Sequence, residues 1–272
     1  MREAMKLTKL LMLFALSSAT FVFAQDMQRL ENAVTSEHRT EHYVLRDEFR
    51  NPVLTLQAFG IEPTDRVLEI WPGSGWYTEI LAPYLRDQGE LVVAHFPTES
   101  EVAYYMTLRM HFEEKLANTP DVYDQVSIVS FSPDTGIMGV EDASFDSVLT
   151  FRNVHNWLRG GNEQRVFSDF FRVLKPGGTL GVVEHRSHAE LTRDEMIRSG
   201  YMNQTYVIQV AEAAGFELVE AFDVNANPRD TADHEGGVWA LPPTLTNGEE
   251  EEERYIAIGE SDRMTLRFRK PE

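Results

Sequence analysis

The sequence predicts an α/β protein with a doubly wound, mostly parallel sheet of seven strands, the last of which runs antiparallel. Short apolar segments alternate with helical segments along most of the chain, which is the pattern of a parallel sheet covered by helices on both faces. The run Leu91–Ala94 is apolar throughout, as in a strand buried on both sides. The last predicted strand, 263–268, alternates instead, as an antiparallel edge strand would.

The predicted elements follow one another without an internal repeat. Pro52 is expected to open the helix 53–59, because proline suits the first helical turn. Lys175-Pro176-Gly177-Gly178 is expected to end the helix before the fifth strand. The predicted strands are 66–70, 91–95, 125–129, 145–151, 179–184, 216–224 and 263–268, and the main predicted helices are 76–85, 100–117, 163–174 and 206–214.

Composition limits the classes of partner. The chain has 272 residues, 42% of them hydrophobic, which is enough for one sizeable core. Its formal net charge of −19 would repel phosphate backbones and anionic membranes, so nucleic acid is not expected as a partner. The absence of cysteine rules out disulfides, thiolate catalysis, thiolate metal sites and a lipid-anchored cysteine.

The first 24 residues are predicted to be a cleavable export signal. Lys6 and Lys9 give a positive start, an apolar run follows, and Ala24 ends a sequence that suits cleavage. An uncleaved membrane anchor is the alternative. The predicted organisation is a signal peptide at 1–24, an N-terminal helical arm at 25–52, and a domain at 53–272 with a lid insertion at about 225–262. The mature chain is expected to be periplasmic or secreted, with no stable membrane anchor.

The exit of the first strand is the strongest candidate for a ligand site. Ligands of parallel α/β sheets bind beyond the carboxyl ends of the strands, where the strand order reverses. Gly73 and Gly75 leave the turn free of side chains there, and the helix that follows can offer N–H groups to an anion. The alternative is that both glycines serve only to permit a sharp turn.

The order of three motifs resembles the class I methyltransferase superfamily, which binds S-adenosylmethionine at this first turn. The motifs are Val67-Leu68-Glu69-Ile70-x-x-Gly73-x-Gly75, Phe145-Asp146-Ser147-Val148 and Leu174-Lys175-Pro176-Gly177-Gly178-Thr179-Leu180. The resemblance covers about residues 53–270. Segments 72–85, 153–157, 225–230, 237–243 and 259–264 are similar to a group of exported bacterial methyltransferases with no established substrate.

The resemblance implies a cofactor pocket and its residues. Glu69, Gly73 and Gly75 would shape the amino-acid end of S-adenosylmethionine, and His95 would lie near its ribose. The other residues implied at the cofactor are Trp71, Ser74, Thr78 and Asn153.

Two of these residues depart from the family's pattern. Trp71 replaces the first glycine of the turn and would crowd or stack upon a ligand. His95 replaces the acidic residue that usually holds the ribose hydroxyls, and a neutral imidazole accepts only one hydrogen bond. Both departures predict weakened cofactor binding or a changed ligand.

Three histidines, His95, His155 and His185, are predicted at the ends of the second, fourth and fifth strands. In the simplest interpretation, these histidines do not form a common site, and each makes only local hydrogen bonds. His155 is the first choice for a catalytic base, since histidine suits proton transfer near neutral pH. A metal site that includes Glu184 is a weaker hypothesis, and no metal ligand is assigned.

The lid insertion is expected to select the substrate. Asn227, Arg229 and Trp239 in the lid, together with His185, are the candidate substrate-binding residues, although a passive surface loop is nearly as good an interpretation. The predicted function is S-adenosylmethionine-dependent methyl transfer to an unknown small molecule. The first alternative is a non-catalytic or repurposed small-ligand-binding protein on the same fold, and a metal-dependent hydrolase is the second.

Overall fold

A computed structural model describes residues 24–272, so the predicted export signal lies outside the described residues except for Ala24. The strands are β1 Arg66–Ile70, β2 Glu90–His95, β3 Ser127–Ser132, β4 Gly136–Ile137, β5 Phe145–Phe151, β6 Leu174–His185, β7 Glu217–Phe222 and β8 Arg263–Arg269. The helices are α1 24–34, α2 Glu41–Val44, α3 Asp47–Arg50, α4 Pro52–Phe59, α5 Thr78–Leu85, α6 Ala103–Asn118, α7 Pro120–Tyr123, α8 Val154–Gly160, α9 Glu163–Val173, α10 Arg193–Ser199, α11 Gln204–Ala213 and α12 Glu249–Ile258, and a 3₁₀ helix spans Gly237–Ala240.

All eight strands form one sheet in the order β4-β3-β2-β1-β5-β6-β8-β7. The doubly wound, mostly parallel architecture is confirmed, and β8 runs antiparallel to both neighbours as predicted. Its expected edge position is wrong: β8 lies between β6 and β7, and the exposed strand β7 forms the edge. The opposite edge carries the two-residue strand β4, which the sequence did not predict. The strand order reverses between β1 and β5.

Two apolar layers cover the sheet. Alternate residues of β5 point to opposite faces, so Val148 joins the cluster under α8, α9 and α11, whereas Leu149 joins the cluster under α1, α4, α5 and α6. Most of β1, β2 and β5 is buried, as expected for strands covered on both sides. No helix among residues 24–272 is long and apolar enough to cross a bilayer.

The N-terminal segment is packed against the helix that follows β1. Leu30 of α1 is buried with the apolar residues of α5. Thr40 donates hydrogen bonds from its backbone N–H and its hydroxyl to the Glu79 carboxylate, at 3.0 and 2.5 Å. The Trp76 indole N–H donates to the Tyr43 carbonyl at 2.9 Å. These contacts hold the N-terminal segment beside the turn after β1.

The lid segment, residues 225–262, is more ordered than a loop. Its acidic run, residues 249–253, begins α12. Tyr255 of α12 is buried against Leu241 in a small apolar cluster of the lid. Asp230 is also buried and accepts hydrogen bonds from the Tyr201 hydroxyl and the Asp262 N–H.

Gly181 in the middle of β6 sets how closely α4 approaches the sheet. A Cβ at this position would lie 2.7 Å from the Phe59 ring and 2.8 Å from Leu149. We expect Gly181→Ala to lower the free energy of unfolding by about 1–3 kcal/mol through overpacking, as measured by urea denaturation. Gly160→Ala is the control, since its Cβ would meet only the Asn162 side chain and should change stability by less than about 0.5 kcal/mol. Equal effects of the two substitutions would contradict this account.

Candidate functional site

The turn after β1 leaves one open face. Gly73 and Gly75 have φ angles of 61° and 88°, a region that glycine adopts without steric cost. A Cβ on Gly73 would meet no atom within 4 Å, whereas one on Gly75 would lie 3.1 Å from the Phe112 ring. Gly75 therefore allows α6 to approach, and Gly73 leaves free space above the turn. Ser74 is exposed, and its carbonyl accepts hydrogen bonds from Lys115 and Tyr43.

Glu69 lies beneath the turn as a buried carboxyl group. Glu69 is 1% exposed, and its carboxyl group accepts a hydrogen bond from the Thr78 hydroxyl at 2.7 Å. Burial raises the pKa of Glu69 to about 7, although the Thr78 hydrogen bond and the Lys115 charge oppose the shift. The structure thus brings together two of the predicted cofactor residues, Glu69 and Thr78, at the base of the turn.

His95 is fully buried at the end of β2 and does not face the open side of the turn. Its Nδ1 accepts the Phe96 N–H at 2.8 Å, so Nε2 carries the hydrogen that points to the Gly73 carbonyl at 3.3 Å. Burial lowers the pKa of His95 to about 4, which keeps the ring neutral near neutral pH. Both nitrogens are engaged by the backbone, so His95 supports the turn and has no free atom for a ribose hydroxyl.

Trp71 begins the turn in an unfavourable backbone conformation, with φ at 45°. Its indole packs against four aromatic rings, with centroid distances between 4.7 and 6.4 Å. These rings belong to Phe96, Phe131, Trp157 and Tyr105. The indole therefore fills space beside the turn, over the carboxyl ends of β2 and β3.

Asn153 joins the first and fifth strands where the strand order reverses. Its side-chain amide donates to the Ile70 carbonyl at 3.0 Å and to the Thr150 hydroxyl at 3.1 Å. Asn153 is therefore part of the support of the turn, next to the predicted cofactor residues.

A polar cavity of about 180 Å³ lies beside this turn, at the carboxyl ends of β5 and β6. The predicted residues His155, His185 and Trp239 all line it. Lid residues form its other wall, so the lid and the two strand ends enclose one site. Its remaining lining residues are Arg152, Val238, Pro242, Pro243, Thr244, Glu260 and Ser261.

The two cavity histidines are held by one buried carboxylate. His155 donates from Nδ1 to Glu184 Oε1 at 3.0 Å, and its backbone N–H donates to Oε2 at 3.2 Å. The backbone N–H of His185 donates to Glu184 Oε1 at 2.8 Å, and its Nδ1 lies 2.5 Å from the Ser261 hydroxyl. In a neutral His155 this arrangement leaves Nε2 as a proton acceptor, which is the geometry of an oriented general base.

Two predicted substrate residues lie outside the cavity lining. The Asn227 amide donates to the Ile258 and Glu260 carbonyls at 2.9 and 2.6 Å, so it fastens the lid. Arg229 is exposed and donates to the Ala257 carbonyl at 3.0 Å. The Asn227 amide and one Arg229 N–H thus hold the lid backbone, and contact of these two residues with substrate stays a prediction.

Arg152 also lines the cavity, but it was not among the site residues predicted from the sequence. It directly follows β5 and has a φ of 61°, an uncommon conformation for a residue other than glycine. Its position between a predicted strand and the predicted residues Asn153 and His155 was the available signal.

Comparisons with known proteins identify the architecture. Residues 68–182 match a family model described as "Methyltransferase domain". The chain has the methyltransferase fold. A search of the curated proteins finds no significant sequence match.

Solved structures with the methyltransferase fold superpose on most of the chain. A SAM-dependent methyltransferase from Aquifex aeolicus matches with a TM-score of 0.56 and 14% identity, over 83% of this chain and 92% of that one. The [4+2]-cyclase SpnF matches with a TM-score of 0.60 and 18% identity, over 92% and 96%. A phosphoethanolamine N-methyltransferase 2 from Haemonchus contortus, solved in complex with S-adenosyl-L-methionine, matches with a TM-score of 0.52 and 20% identity, over 82% and 53%.

The buried carboxyl of Glu69 should make stability depend on pH. Its pKa in the folded state, about 7, exceeds the ordinary value of 4.5. The folded state therefore holds the proton more tightly, and this stabilisation is complete below about pH 4.5 and lost as the pH rises through 7. We expect Glu69→Gln to stabilise the protein on the order of 2 kcal/mol at pH 8 and to have little effect at pH 4.5, as measured by urea denaturation.

Glu212→Gln is the matched control, because Glu212 is an exposed carboxyl group on α11. Its effect should be small and nearly the same at both pH values. A Glu69→Gln effect that does not change between pH 4.5 and pH 8 would show that folding does not raise the pKa of this carboxyl group.

Proposed function

We propose that this protein is an S-adenosylmethionine-dependent methyltransferase that acts on a small molecule. The observation that carries the proposal is the open turn at Gly73, which lies above the buried Glu69 and beside β5, where the strand order reverses. The match of residues 68–182 to the methyltransferase domain supports it. The methyltransferase fold of the described residues is consistent with it.

The residues around the turn fit the amino-acid end of the cofactor. Gly73 gives the space that an approaching ligand needs, and the buried carboxyl of Glu69 can balance a positive charge above the turn. When bound, the cofactor supplies an activated methyl group on a sulfonium. The chain must then align an acceptor with that methyl group, which needs few catalytic residues.

The cavity beside the turn offers the groups for the acceptor. His155 presents Nε2 as the proton acceptor, and Glu184 fixes the orientation of its ring through Nδ1. His185 and Trp239 form the surrounding walls. The acceptor would lie over β5 and β6, and the cofactor would lie over β1. Because β1 and β5 are neighbours, the two ligands would be side by side at one edge of the sheet.

A repurposed or non-catalytic binding protein is the second candidate, and the packing of Trp71 favours it. The indole occupies the side of the turn that faces β2 and β3, where an adenosine would lie over the strand ends. The two candidates differ in whether this side chain leaves its aromatic neighbours when the cofactor is offered.

The export of the mature chain is a separate proposal, supported only by the N-terminal sequence. The positive residues, the apolar run and Ala24 have the order of a cleavable signal. An exported methyltransferase would need S-adenosylmethionine outside the cytoplasm.

Calorimetric titration with S-adenosylmethionine tests the methyltransferase proposal. We expect the wild-type protein to bind it with a Kd below about 1 mM, and Trp71→Gly to bind at least tenfold more tightly, because the substitution removes the indole and its strained backbone conformation. Trp239→Ala, in the lid, is the control and should leave cofactor affinity nearly unchanged. No binding by either wild type or Trp71→Gly, with both proteins folded, would favour the repurposed binding protein.

His155→Gln tests the predicted base. We expect the rate of methyl transfer to fall about 100-fold, because a glutamine cannot accept a proton near neutral pH. The affinity for S-adenosylmethionine should stay within about threefold of wild type. The measurement is transfer of a radiolabelled methyl group to a panel of small hydroxyl, amine and carboxylate acceptors. Equal rates for the two proteins would exclude His155 as the base.

A further inference from the structure

One carboxylate in the cavity lining is surrounded by three arginines from two parts of the chain. Glu260 in the lid pairs with Arg46 at 2.5 Å, Arg50 at 3.2 Å and Arg263 at 2.9 Å. Burial alone would raise the pKa of Glu260, but the arginines, Arg263 first among them, hold it well below its usual range. The carboxylate is therefore ionised, and three guanidinium groups share its single negative charge.

The same cluster contains guanidinium N–H groups that have no hydrogen-bond partner in the described part of the chain. They are Arg46 Nη2, Arg50 Nη2 and Arg263 Nε, and all three atoms are buried. The side chains of Arg50 and Arg263 are only 4% and 3% exposed. Glu260 therefore leaves part of the donor capacity of this cluster unused, although Arg46, Arg50 and Arg263 do not line the cavity themselves.

Arg152 adds a fourth positive charge, and it is the one that lines the cavity. Its side chain makes no hydrogen bond or ion pair with any residue in 24–272, whereas its backbone N–H donates to the Val183 carbonyl at 2.7 Å. Residues held in a strained backbone conformation are concentrated at binding sites, and the φ of Arg152 is 61°. An unpaired guanidinium group thus faces the same space as His155 and His185.

The sign of the charge decides which ligand fits. His155, Glu184 and His185 have ligand atoms within 4.8 Å of one another, a spacing that could hold a metal ion. However, four guanidinium groups lie close by, against the two carboxylates of Glu184 and Glu260, and this excess would repel a divalent cation. Burial lowers the pKa of Arg152 to about 10, which still leaves it protonated at neutral pH. The local excess of positive charge fits an anion.

We propose that this cavity binds the carboxylate or phosphate group of the methyl acceptor, with Arg152 as its principal ligand. Ser261 and His185 share one hydrogen bond, so one of the two keeps an N–H or O–H donor for the same space. Guanidinium is the side-chain group best matched to both oxyanions, because its planar N–H donors can bind two oxygens at once. That the anion belongs to the acceptor rests on the proposed methyltransferase function, whereas anion binding by Arg152 does not.

Titration of the full-length mature chain with three small probes tests the proposal. Benzoate carries a carboxylate, inorganic phosphate carries the other oxyanion, and benzamide is the uncharged counterpart of benzoate. We expect benzoate, phosphate or both to bind, and benzamide to bind at least tenfold more weakly than benzoate if benzoate is the probe that binds. Arg152→Gln should weaken oxyanion binding at least tenfold. Arg229→Gln, which removes an exposed arginine of the lid, should have no effect.

Two further measurements keep the result interpretable. Thermal unfolding in anion-free buffer should show Arg152→Gln to be at least as stable as wild type, because the substitution removes an unpaired charge, whereas an arginine with a structural role would leave a less stable variant. Titration of benzoate or phosphate with S-adenosylhomocysteine already bound should show undiminished oxyanion binding. Competition between the two would assign Arg152 to the cofactor's own carboxylate and overturn the proposal.

Failure of this proposal is distinguishable from failure of the proposed function. If no oxyanion binds the folded wild-type protein at about millimolar concentration, or if Arg152→Gln binds as tightly as wild type, the anion site is excluded even when S-adenosylmethionine binds. If oxyanions bind through Arg152 but the cofactor does not, the anion site stands, and the ligand belongs to a binding protein instead of a methyl-transfer reaction.

Discussion

The ion cluster around Glu260 joins the elements that enclose the candidate site. Arg46 and Arg50 come from the N-terminal segment, Arg263 begins β8, and Glu260 ends the lid. Arg46 and Glu260 are 214 residues apart in sequence. Removing one partner of a buried charge cluster leaves the others uncompensated, so Glu260 is a main anchor of the lid, beside Asp230, which accepts from the Tyr201 hydroxyl.

The architecture was predictable because hydrophobic burial determines it. The apolar runs of β2 and β5 are almost fully buried, and the predicted bounds of β5 agree with the structure. The glycine turn was also predictable, since its two glycines occupy conformations that other residues avoid. The edge position predicted for β8 failed because alternation shows only that one face is less apolar, and it does not identify the neighbouring strands.

Side-chain roles were harder to predict because they depend on partners that are distant in sequence. His95 occupies the expected strand end, yet the backbone of Phe96 and Gly73 uses both ring nitrogens. Asn227 and Arg229 belong to the expected lid, yet they bind lid carbonyl groups. Residue type and strand position therefore identified the right region, whereas the direction of each polar group required the three-dimensional structure.

The carboxyl edge of the sheet is divided into two halves of different chemistry. Over β1, β2 and β3 the side chains are aromatic, with Trp71 packed against Phe96 and Phe131. Over β5 and β6 they are ionisable, with His155 and Arg152 in the cavity. An aromatic surface favours a flat apolar ligand, and a cationic cavity favours an anion. Asn153 links the two halves, because its side-chain amide donates both to the Ile70 carbonyl at the end of β1 and to the Thr150 hydroxyl of β5.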